Sequence, residues 1–332
     1  MNSEIRRKLD ELHIDYERVT GSSFDHFYCP FLFRDEDVDV CQGHIVNSDF
    51  PNSSRRWIVQ RADVDHFFGA FFESDFVSLQ YREGVTPEKV LLSKELSKKY
   101  SPQIVANGKP VDHFFARGTI PPQFSEVLIQ GSEKQVRLGL KIHPAKLLAS
   151  PDMKWEIEIH KDVRLAAMVS LLKAAHLTLF DMLGYRYVFS AGGYFLGYTV
   201  LGDFFLKNAG SNKANVLRNA DGHFRQFVHM VRPVFPAAPD LHGSLVDRVV
   251  YLCKSEHTDP WAFVVFVRTS QSLHAILCPV FEEPDGIARF LQFLENGDEH
   301  IEAFPCEYRK DKWLVYQKSL TLTWTKTGIL YP

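Results

Sequence analysis

The sequence predicts a mixed α+β protein, for three reasons. Apolar and charged residues make up 45% and 24% of its 332 residues, the balance of an ordinary globular protein. Some segments carry an apolar residue at every second position, as strands do, and others carry one every three or four positions, as helices do. We expect an N-terminal ββα unit, a central mixed region with a long buried helix, and a C-terminal antiparallel sheet with a helix.

The N-terminal region, 1–100, begins with a short amphipathic helix over residues 3–14, with Ser3 as its cap. A loop over 15–28 precedes a strand–loop–strand–helix segment at about 28–78. Thr86-Pro87-Glu88 then opens a second helix that runs to about residue 100, because proline is favoured at the first helical position.

The central region, 101–210, mixes strands with one long helix. Asn107-Gly108 predicts a hairpin turn, and alternating residues predict strands within 127–142 and 155–159. Residues 162–183 have the pattern of a buried helix that Gly184 ends. Residues 208–222 are rich in Asn and Gly and are interpreted as a loop and linker.

The C-terminal domain, 211–332, has the pattern of a strand meander with one helix. Strands are predicted at 246–252, 262–267, 273–280, 313–316 and 320–324, and the helix at 287–294. It carries no recognisable catalytic motif, and neither a phosphate-binding loop nor a Gly-x-Ser-x-Gly sequence occurs anywhere in the chain.

Charge and cysteine content limit the partners and the cellular compartment that we expect for this chain. The net charge of −3 is not a nucleic-acid signature, although a local basic patch is enough to hold phosphates. Five cysteines, an odd number in a chain of this length, argue against a disulfide framework. The polar N-terminus shows no signal peptide, so the cytoplasm is expected. The apolar stretch 187–206 is broken by glycines and is interpreted as buried core rather than a membrane span.

The segment at 28–78 carries the most informative residues. Val38 and Val40 alternate with acidic residues, and His44 follows at the end of this strand. A polar loop then leads to a second strand at Trp57–Gln60. Apolar residues at helical spacing come next, and Asp65 and His66 fall in the first turn of that helix. Asp63 is its expected N-cap. A ribbon of two strands packed on a helix would bring these positions together.

This arrangement resembles the HNH-type (ββα-metal, His-Me finger) endonucleases over about 50 residues. Gly43-His44-Ile45-Val46 is similar to the family's acidic-His-Ile segment. Val64-Asp65-His66-Phe67-Phe68-Gly69, with Glu73 four residues on, is similar to its helix-opening segment. The resemblance implies a metal-dependent endonuclease acting on DNA, with His44 as general base. Such enzymes serve in restriction, phage defence or mobile elements.

The remaining roles follow from the resemblance and from ligand chemistry. Asp65 suits magnesium or manganese, and His66 suits a softer metal such as zinc. Arginines at the cleavage point would hold phosphates. An asparagine of the polar loop, Asn47 or Asn52, would orient the ring of His44. The predicted site residues are His44, Asn52 and Arg56 as catalytic residues, Asp65 and His66 as metal ligands, Arg55 and Arg61 as DNA-binding residues, and Cys29 and Cys41 as residual zinc ligands.

The departures from the family pattern leave other interpretations open. Gly43 replaces the acidic residue, and the second cysteine pair would fall at Arg61 and Val64. A four-cysteine zinc knuckle is therefore not expected. His44 is alternatively a core histidine, Asp65 a charge at a helix N-terminus, and Glu73 a surface residue. Arg55 and Arg56 are alternatively a solvated pair, and the cysteines buried thiols.

Three hypotheses about function remain. The first is the metal-dependent endonuclease, with DNA as partner and no membrane. The second is a catalytically inactive HNH-like module that binds nucleic acid or protein. The third is a structural finger in a protein whose function lies in the C-terminal domain. The sequence leaves open whether the chain forms a homo-oligomer.

Overall fold

The computed structural model describes residues 2–50, 53–77, 163–235 and a set of shorter segments, namely 103–106, 109–114, 128–131, 156–158, 247–254, 261–269, 273–279, 284–296, 299–309, 312–315, 320–325 and 329–330. The fold is mixed α+β, as the sequence predicts, with helices and an antiparallel curled sheet. The predicted helix at 86–100 and the predicted strand at 136–142 lie outside the described residues.

The chain divides into two compact units. One is formed by Met1–Gln80 together with Val163–Pro332, and the other by Tyr81–Asp162. The predicted boundaries after residues 100 and 210 do not coincide with this division. The second unit is therefore an insertion into the first.

Helix α1 spans Ser3–Thr20 and is longer than predicted. Its cap is Asn2, whose side chain accepts a hydrogen bond from the amide of Glu4 at 3.0 Å. The helix continues to Gly21, whose φ of +76° is readily adopted by glycine, and the Gly21 amide donates to the carbonyl of Glu17 at 2.8 Å. The loop that was predicted to begin at residue 15 therefore begins at Gly21, six residues further along the chain.

The strand–loop–strand–helix order predicted for 28–78 is present. Strands β1 (Val40–His44) and β2 (Trp57–Arg61) pair antiparallel, with His44 opposite Trp57. Helix α2 (Ala62–Phe68) follows β2 directly, so it begins before the predicted cap Asp63. A π-helical turn, Gly69–Glu73, extends it. The apolar face predicted for this helix is buried, with its phenylalanines packed in the core: Phe67, Phe68, Phe72 and Phe76.

Helix α3 (Val163–Leu183) is present where a long buried helix was predicted. It ends at Gly184, whose φ is +63° and whose amide donates to the carbonyl of Phe180 at 2.8 Å. Residues Leu165–Leu183 are long and apolar enough to cross a membrane, but 83% of that stretch is buried inside the protein. The helix packs against β7, β9, β10 and β11, defined below, and is therefore a core helix.

Short helices fill the segment after α3: α4 (Tyr185–Val188), α5 (Ala191–Tyr194), a π-helical segment (Phe195–Gly202), α6 (Asp203–Asn208), α7 (Lys213–Phe224) and a 3-10 turn (Arg225–Met230). The linker predicted at 208–222 is wrong, because most of it is helix α7. Asn212 caps this helix by accepting from the amide of Asn215 at 3.0 Å. Val216, Ala220 and Phe224, four residues apart, are buried on its inner face.

The C-terminal part forms an eight-stranded sheet: β7 (Val231–Phe235), β8 (Arg248–Lys254), β9 (Ala262–Arg268), β10 (Leu273–Pro279), β11 (Glu299–Arg309), β12 (Lys312–Val315), β13 (Leu320–Trp324) and β14 (Ile329–Leu330). Its strand order is β12-β11-β13-β14-β7-β10-β9-β8, and β8 also pairs with β11, so the sheet curls back on itself. All pairs are antiparallel except β14 with β7. Helix α8 (Pro284–Asn296) follows β10 in the chain. The predicted combination of an antiparallel sheet and one helix is therefore present.

The second unit contains a four-stranded antiparallel sheet of order β5-β4-β3-β6. Its strands are β3 (Gln103–Ala106), β4 (Lys109–Phe114), β5 (Leu128–Gly131) and β6 (Glu156–Glu158). Strands β3 and β4 pair on either side of Asn107-Gly108, where the hairpin was predicted.

Candidate functional site

One cleft brings together three of the predicted site residues. His44, Asp65 and His66 line a cavity of about 250 Å³. The rest of its wall comes from the loop after β1 and from the π-helical turn: Asn47, Ser48, Gly69, Ala70 and Glu73. The sequence hypothesis therefore identified residues that are 21 positions apart in the chain but share one wall.

The local fold explains this convergence. His44 is the last residue of β1, and the antiparallel ribbon places it opposite Trp57 at the start of β2. Because α2 follows β2 without a loop, its first turn stays close to the ribbon. The π-helical turn then adds Gly69, Ala70 and Glu73 to the same wall. Turns of this kind occur frequently at functional sites.

The two cleft histidines are chemically available. In the described part of the chain, the imidazole rings of His44 and His66 make no hydrogen bond to another side chain or to the backbone. His176 on α3 differs, because it is fully buried and bonded through Nδ1 to the Tyr187 hydroxyl at 3.0 Å and through Nε2 to the Pro30 carbonyl at 3.2 Å. Burial lowers the pKa of His176 to about 3. It is a core histidine whose two ring nitrogens both have hydrogen-bond partners.

A buried ionic cluster supports the cleft from behind. Lys173 of α3 is 0% exposed, and its Nζ donates to Asp65 Oδ1 at 2.9 Å and to Glu73 Oε1 at 3.1 Å. Burial lowers the pKa of Lys173, but the two carboxylates more than offset this and hold its pKa above the ordinary value. Asn47 lines the cleft together with Glu73. Burial is the largest cause that raises the pKa of the half-buried Cys41 thiol, and the charge of Asp65 contributes to this rise.

Sequence reasoning missed this cluster. The alternative interpretation of Glu73 as a surface residue is wrong, because Glu73 is 7% exposed and paired with Lys173. The two residues are 100 positions apart, so no local pattern connects them. One signal was present: Lys173 is the only charged residue in the apolar stretch 165–180, and a lysine is almost never fully buried unless it is paired.

Arg56 does not point into the cleft, contrary to the prediction. Its guanidinium forms a two-pronged ion pair with Asp181 at the end of α3, through Nε at 2.9 Å and Nη2 at 3.0 Å. It lines a separate cavity of about 510 Å³ between α1, β2 and the end of α3. A catalytic role for Arg56 is therefore not supported by its position, because its hydrogen-bonding edge is already occupied.

Arg61 is structural rather than DNA-binding. Its side chain is 8% exposed, and its guanidinium is bonded to Glu36 and to both oxygens of Asp63. These two carboxylates neutralise it before any phosphate could approach. The position of Arg61 therefore does not favour the predicted phosphate contact.

Arg55 is the arginine that remains available. It is exposed, and its guanidinium pairs with none of the described residues. Its backbone φ of +54° lies in the left-handed region, which is unfavourable for a residue with a Cβ. The turn is held by Ser54, whose amide and hydroxyl both donate to Asp247 at 2.9 Å. Asn52 lies outside the described residues.

The two candidate zinc cysteines lie in different surroundings. Cys29 is buried in the core, whereas Cys41 is half-buried beside Asp65. Burial raises the pKa of both thiols to about 11, which disfavours the thiolate that metals bind. Within the described ranges, no three His, Cys, Asp or Glu side chains are grouped closely enough to hold a metal by themselves.

Two side chains of the cleft could contribute ligands to a divalent cation, although the carboxylate of Asp65 already pairs with Lys173. Asp65 is 27% exposed at the cleft and contributes a carboxylate, and His66 contributes an imidazole. Magnesium and manganese commonly bind to one or two protein groups and complete their shell with water and phosphate oxygens. A shortage of further protein ligands is therefore compatible with such an ion.

Comparisons with protein-family models, with curated proteins and with solved structures gave no match for this chain. The similarity to HNH-type endonucleases rests on the residues quoted above and remains a prediction.

Proposed function

We propose that this chain is a metal-dependent endonuclease that hydrolyses DNA phosphodiester bonds at the cleft of His44, Asp65 and His66. The observation that carries the proposal is the convergence of two unbonded imidazoles and a carboxylate on one solvent-accessible wall. Such a set combines a proton acceptor with ligands for a cation, which are the two needs of phosphodiester hydrolysis.

His44 acts as the general base. A neutral imidazole takes a proton from water near neutral pH, and the ring of His44 has no hydrogen bond among the described residues that would compete for its nitrogens. Asp65 and His66 would hold magnesium or manganese, or zinc in the softer alternative. When bound, the ion supplies charge neutralisation at the phosphate. Arg55, exposed and unpaired in the described part, binds a neighbouring phosphate of the DNA.

The test is a cleavage assay on supercoiled plasmid with magnesium, manganese or EDTA. His44→Ala should abolish nicking, whereas His26→Ala, an exposed histidine outside the cleft, should nick like the wild type. Both variants should melt at the wild-type temperature. Metal-dependent nicking that survives His44→Ala would falsify the proposal.

A second function, a binding module without catalysis, is favoured by one observation. Gly43 stands where the family has an acidic residue, and the Gln60 side chain occupies the space that a side chain at 43 would need. This alternative requires DNA binding without cleavage, with an affinity that falls steeply as salt rises. Fluorescence anisotropy on a short duplex, run beside the plasmid assay, distinguishes the two functions.

The expected setting is the cytoplasm, with DNA as the partner. Among the described residues, one apolar helix is long enough to cross a membrane, and most of it is buried in the core, which is consistent with a soluble protein.

A further inference from the structure

Lys173 is an unusual residue for the centre of a core helix. It is fully buried on α3 between residues that are themselves buried, including Leu172 and Ala174. Its ammonium does not line the cleft, so it cannot touch a substrate there. It lies 5.9 Å from the centroid of the Phe68 ring and contacts both acidic residues of the cleft wall.

Polar side chains lead from this ammonium to the loop that follows His44. Lys173 Nζ donates to Glu73 Oε1 at 3.1 Å, and the side chains of Glu73 and Asn47 line the same cleft. Asn47 in turn accepts from the amide of Asp49 through Oδ1 at 2.9 Å, and from the amide of Phe50 through its carbonyl at 3.2 Å. The second branch holds Asp65 directly at 2.9 Å.

We propose that Lys173 is a positioning residue that fixes Asp65 and, through Glu73 and Asn47, the loop after His44, so that the cleft is assembled before substrate arrives. The inference rests on the proposed function for its catalytic consequence only. Its structural content is that one ammonium sets the geometry of two walls of the cleft, the helix wall and the loop wall.

Stability alone is a poor explanation for this arrangement. A buried ion pair replaced by apolar side chains of similar size is often as stable as before, because the desolvation of the charges offsets their attraction. The cluster does supply a fixed direction for three side chains that face the same cleft. Preorganised positions of this kind are what a hydrolytic site needs, since small displacements of its groups reduce the rate strongly.

The test uses Lys173→Met combined with Glu73→Met, which removes both buried charges and keeps their volumes. The control is the exposed pair Lys207 and Asp203 on α6, replaced in the same way. Amide hydrogen exchange of Asp49 and Phe50 is measured by NMR, together with exchange within α3 and the thermal melting temperature. Plasmid cleavage gives kcat and KM for both double variants.

The expected result is a folded protein in which Asp49 and Phe50 exchange at least about tenfold faster, while the amides of α3 exchange at the wild-type rate. The control variant should match the wild type throughout. Cleavage should lose kcat by about 100-fold with little change in KM, because DNA binding does not depend on the cluster. If Lys173 and Glu73 had only a structural role, the folded double variant would keep the wild-type exchange rates and the wild-type kcat.

Wild-type exchange at Asp49 and Phe50 in the folded double variant overturns the inference, whatever happens to cleavage. If that variant does not fold, Lys173→Met with Glu73→Gln replaces it, and the same rise in exchange is expected because the amide lacks the ammonium that fixes it. A wild-type protein that cuts no DNA overturns only the proposed function, since the exchange measurement needs no substrate.

Discussion

Two polar cavities of the larger unit differ in how many of their charged or titratable side chains already have partners among the described residues. The larger one, about 510 Å³, contains Arg56 paired with Asp181, and on α1 the pairs of Arg7 with Glu11 and Arg18 with Asp15. The smaller one, about 250 Å³, has two imidazoles that bind no described residue. The larger volume therefore does not make the larger cavity the better candidate for a site. The smaller cavity is favoured because it has unbonded side chains that can take a proton or hold a cation.

The two cavities also differ in how exposed their ion pairs are to water. The pairs of the larger cavity are mostly exposed, and Arg56 itself is 54% exposed, so water screens them. The pair behind the smaller cavity, Lys173 with Glu73, is shielded from water. Breaking a buried pair leaves an uncompensated charge, whereas breaking an exposed pair costs little. The first two of four predictions test this contrast directly, and the other two test the core and the exposed arginine.

The largest effect is expected on cleavage. His44→Ala should lower kcat/KM by about 100- to 10,000-fold, the usual contribution of a general base. Arg56→Ala, in the larger cavity, should cleave at nearly the wild-type rate because its guanidinium is committed to Asp181. Steady-state nicking kinetics measure both. Equal losses in the two variants would show that the larger cavity shares in catalysis.

The next effect is on stability. Glu73→Ala leaves the ammonium of Lys173 with only Asp65 and should lower the free energy of unfolding by about 3–5 kcal/mol. Arg56→Ala should lower it by about 0.2–1 kcal/mol, since Arg248 still contacts Asp181 at 3.2 Å. Urea denaturation of both variants measures the difference. A Glu73→Ala protein as stable as Arg56→Ala would contradict the contrast between buried and exposed pairs.

The third prediction concerns histidines buried in the core. Burial lowers the pKa of His176 to about 3 and that of His274 to about 4, below the ordinary value of 6.5. In the pH range between these values and 6.5, both histidines therefore bind protons in the unfolded chain but not in the folded chain. Stability is fully present above pH 6.5 and is lost as pH falls toward these values, by about 2 kcal/mol per histidine at pH 5.

Urea midpoints at pH 7 and pH 5 measure this loss, and His176→Gln should remove about half of it. His26→Ala, at an exposed position, should leave the pH dependence as it is. A midpoint that does not move between the two pH values would mean that these histidines take up protons in the folded state.

The smallest effect is expected at Arg55. Arg55→Gly relieves the positive φ and should raise the free energy of unfolding by less than about 1 kcal/mol, because glycine also gains entropy when unfolded. The same change removes one phosphate contact, so the slope of log affinity against log salt should fall by about 0.9. Arg225→Gly is the control, an exposed arginine outside the cleft. An unchanged slope of log affinity against log salt would show that Arg55 does not contact a DNA phosphate.

Local patterns were sufficient for much of the fold. The ribbon and helix at 40–68, the hairpin at Asn107-Gly108 and the core helix α3 each have their own periodicity or turn residues, and all are present. Strand β11 escaped prediction because Pro305 interrupts its pattern, and proline is unusual within a sheet. Helix α7 escaped because its asparagines and glycine resemble a loop, while three buried residues at helical spacing decide its structure.

The site was only half predictable. His44, Asp65 and His66 belong to a compact segment whose strand and helix order alone places them together. The partners of Arg56, Arg61 and Glu73 could not be read in the same way. Two of those partners, Asp181 and Lys173, lie on α3, more than 90 positions further along the chain. A charged residue close to a strand end looks the same in sequence whether it faces DNA or an acidic partner.

The insertion of residues 81–162 has a consequence for synthesis on the ribosome. Asp65 and Glu73 are made 108 and 100 residues before Lys173. At about 5–20 residues per second, the nascent chain carries both acids for roughly 5–20 seconds without the lysine that binds them. The Phe-rich helix waits equally long for its core partner α3. A newly made N-terminal segment therefore exposes apolar and charged side chains during this interval, and the ion pairs behind its cleft form only after the insertion has been translated.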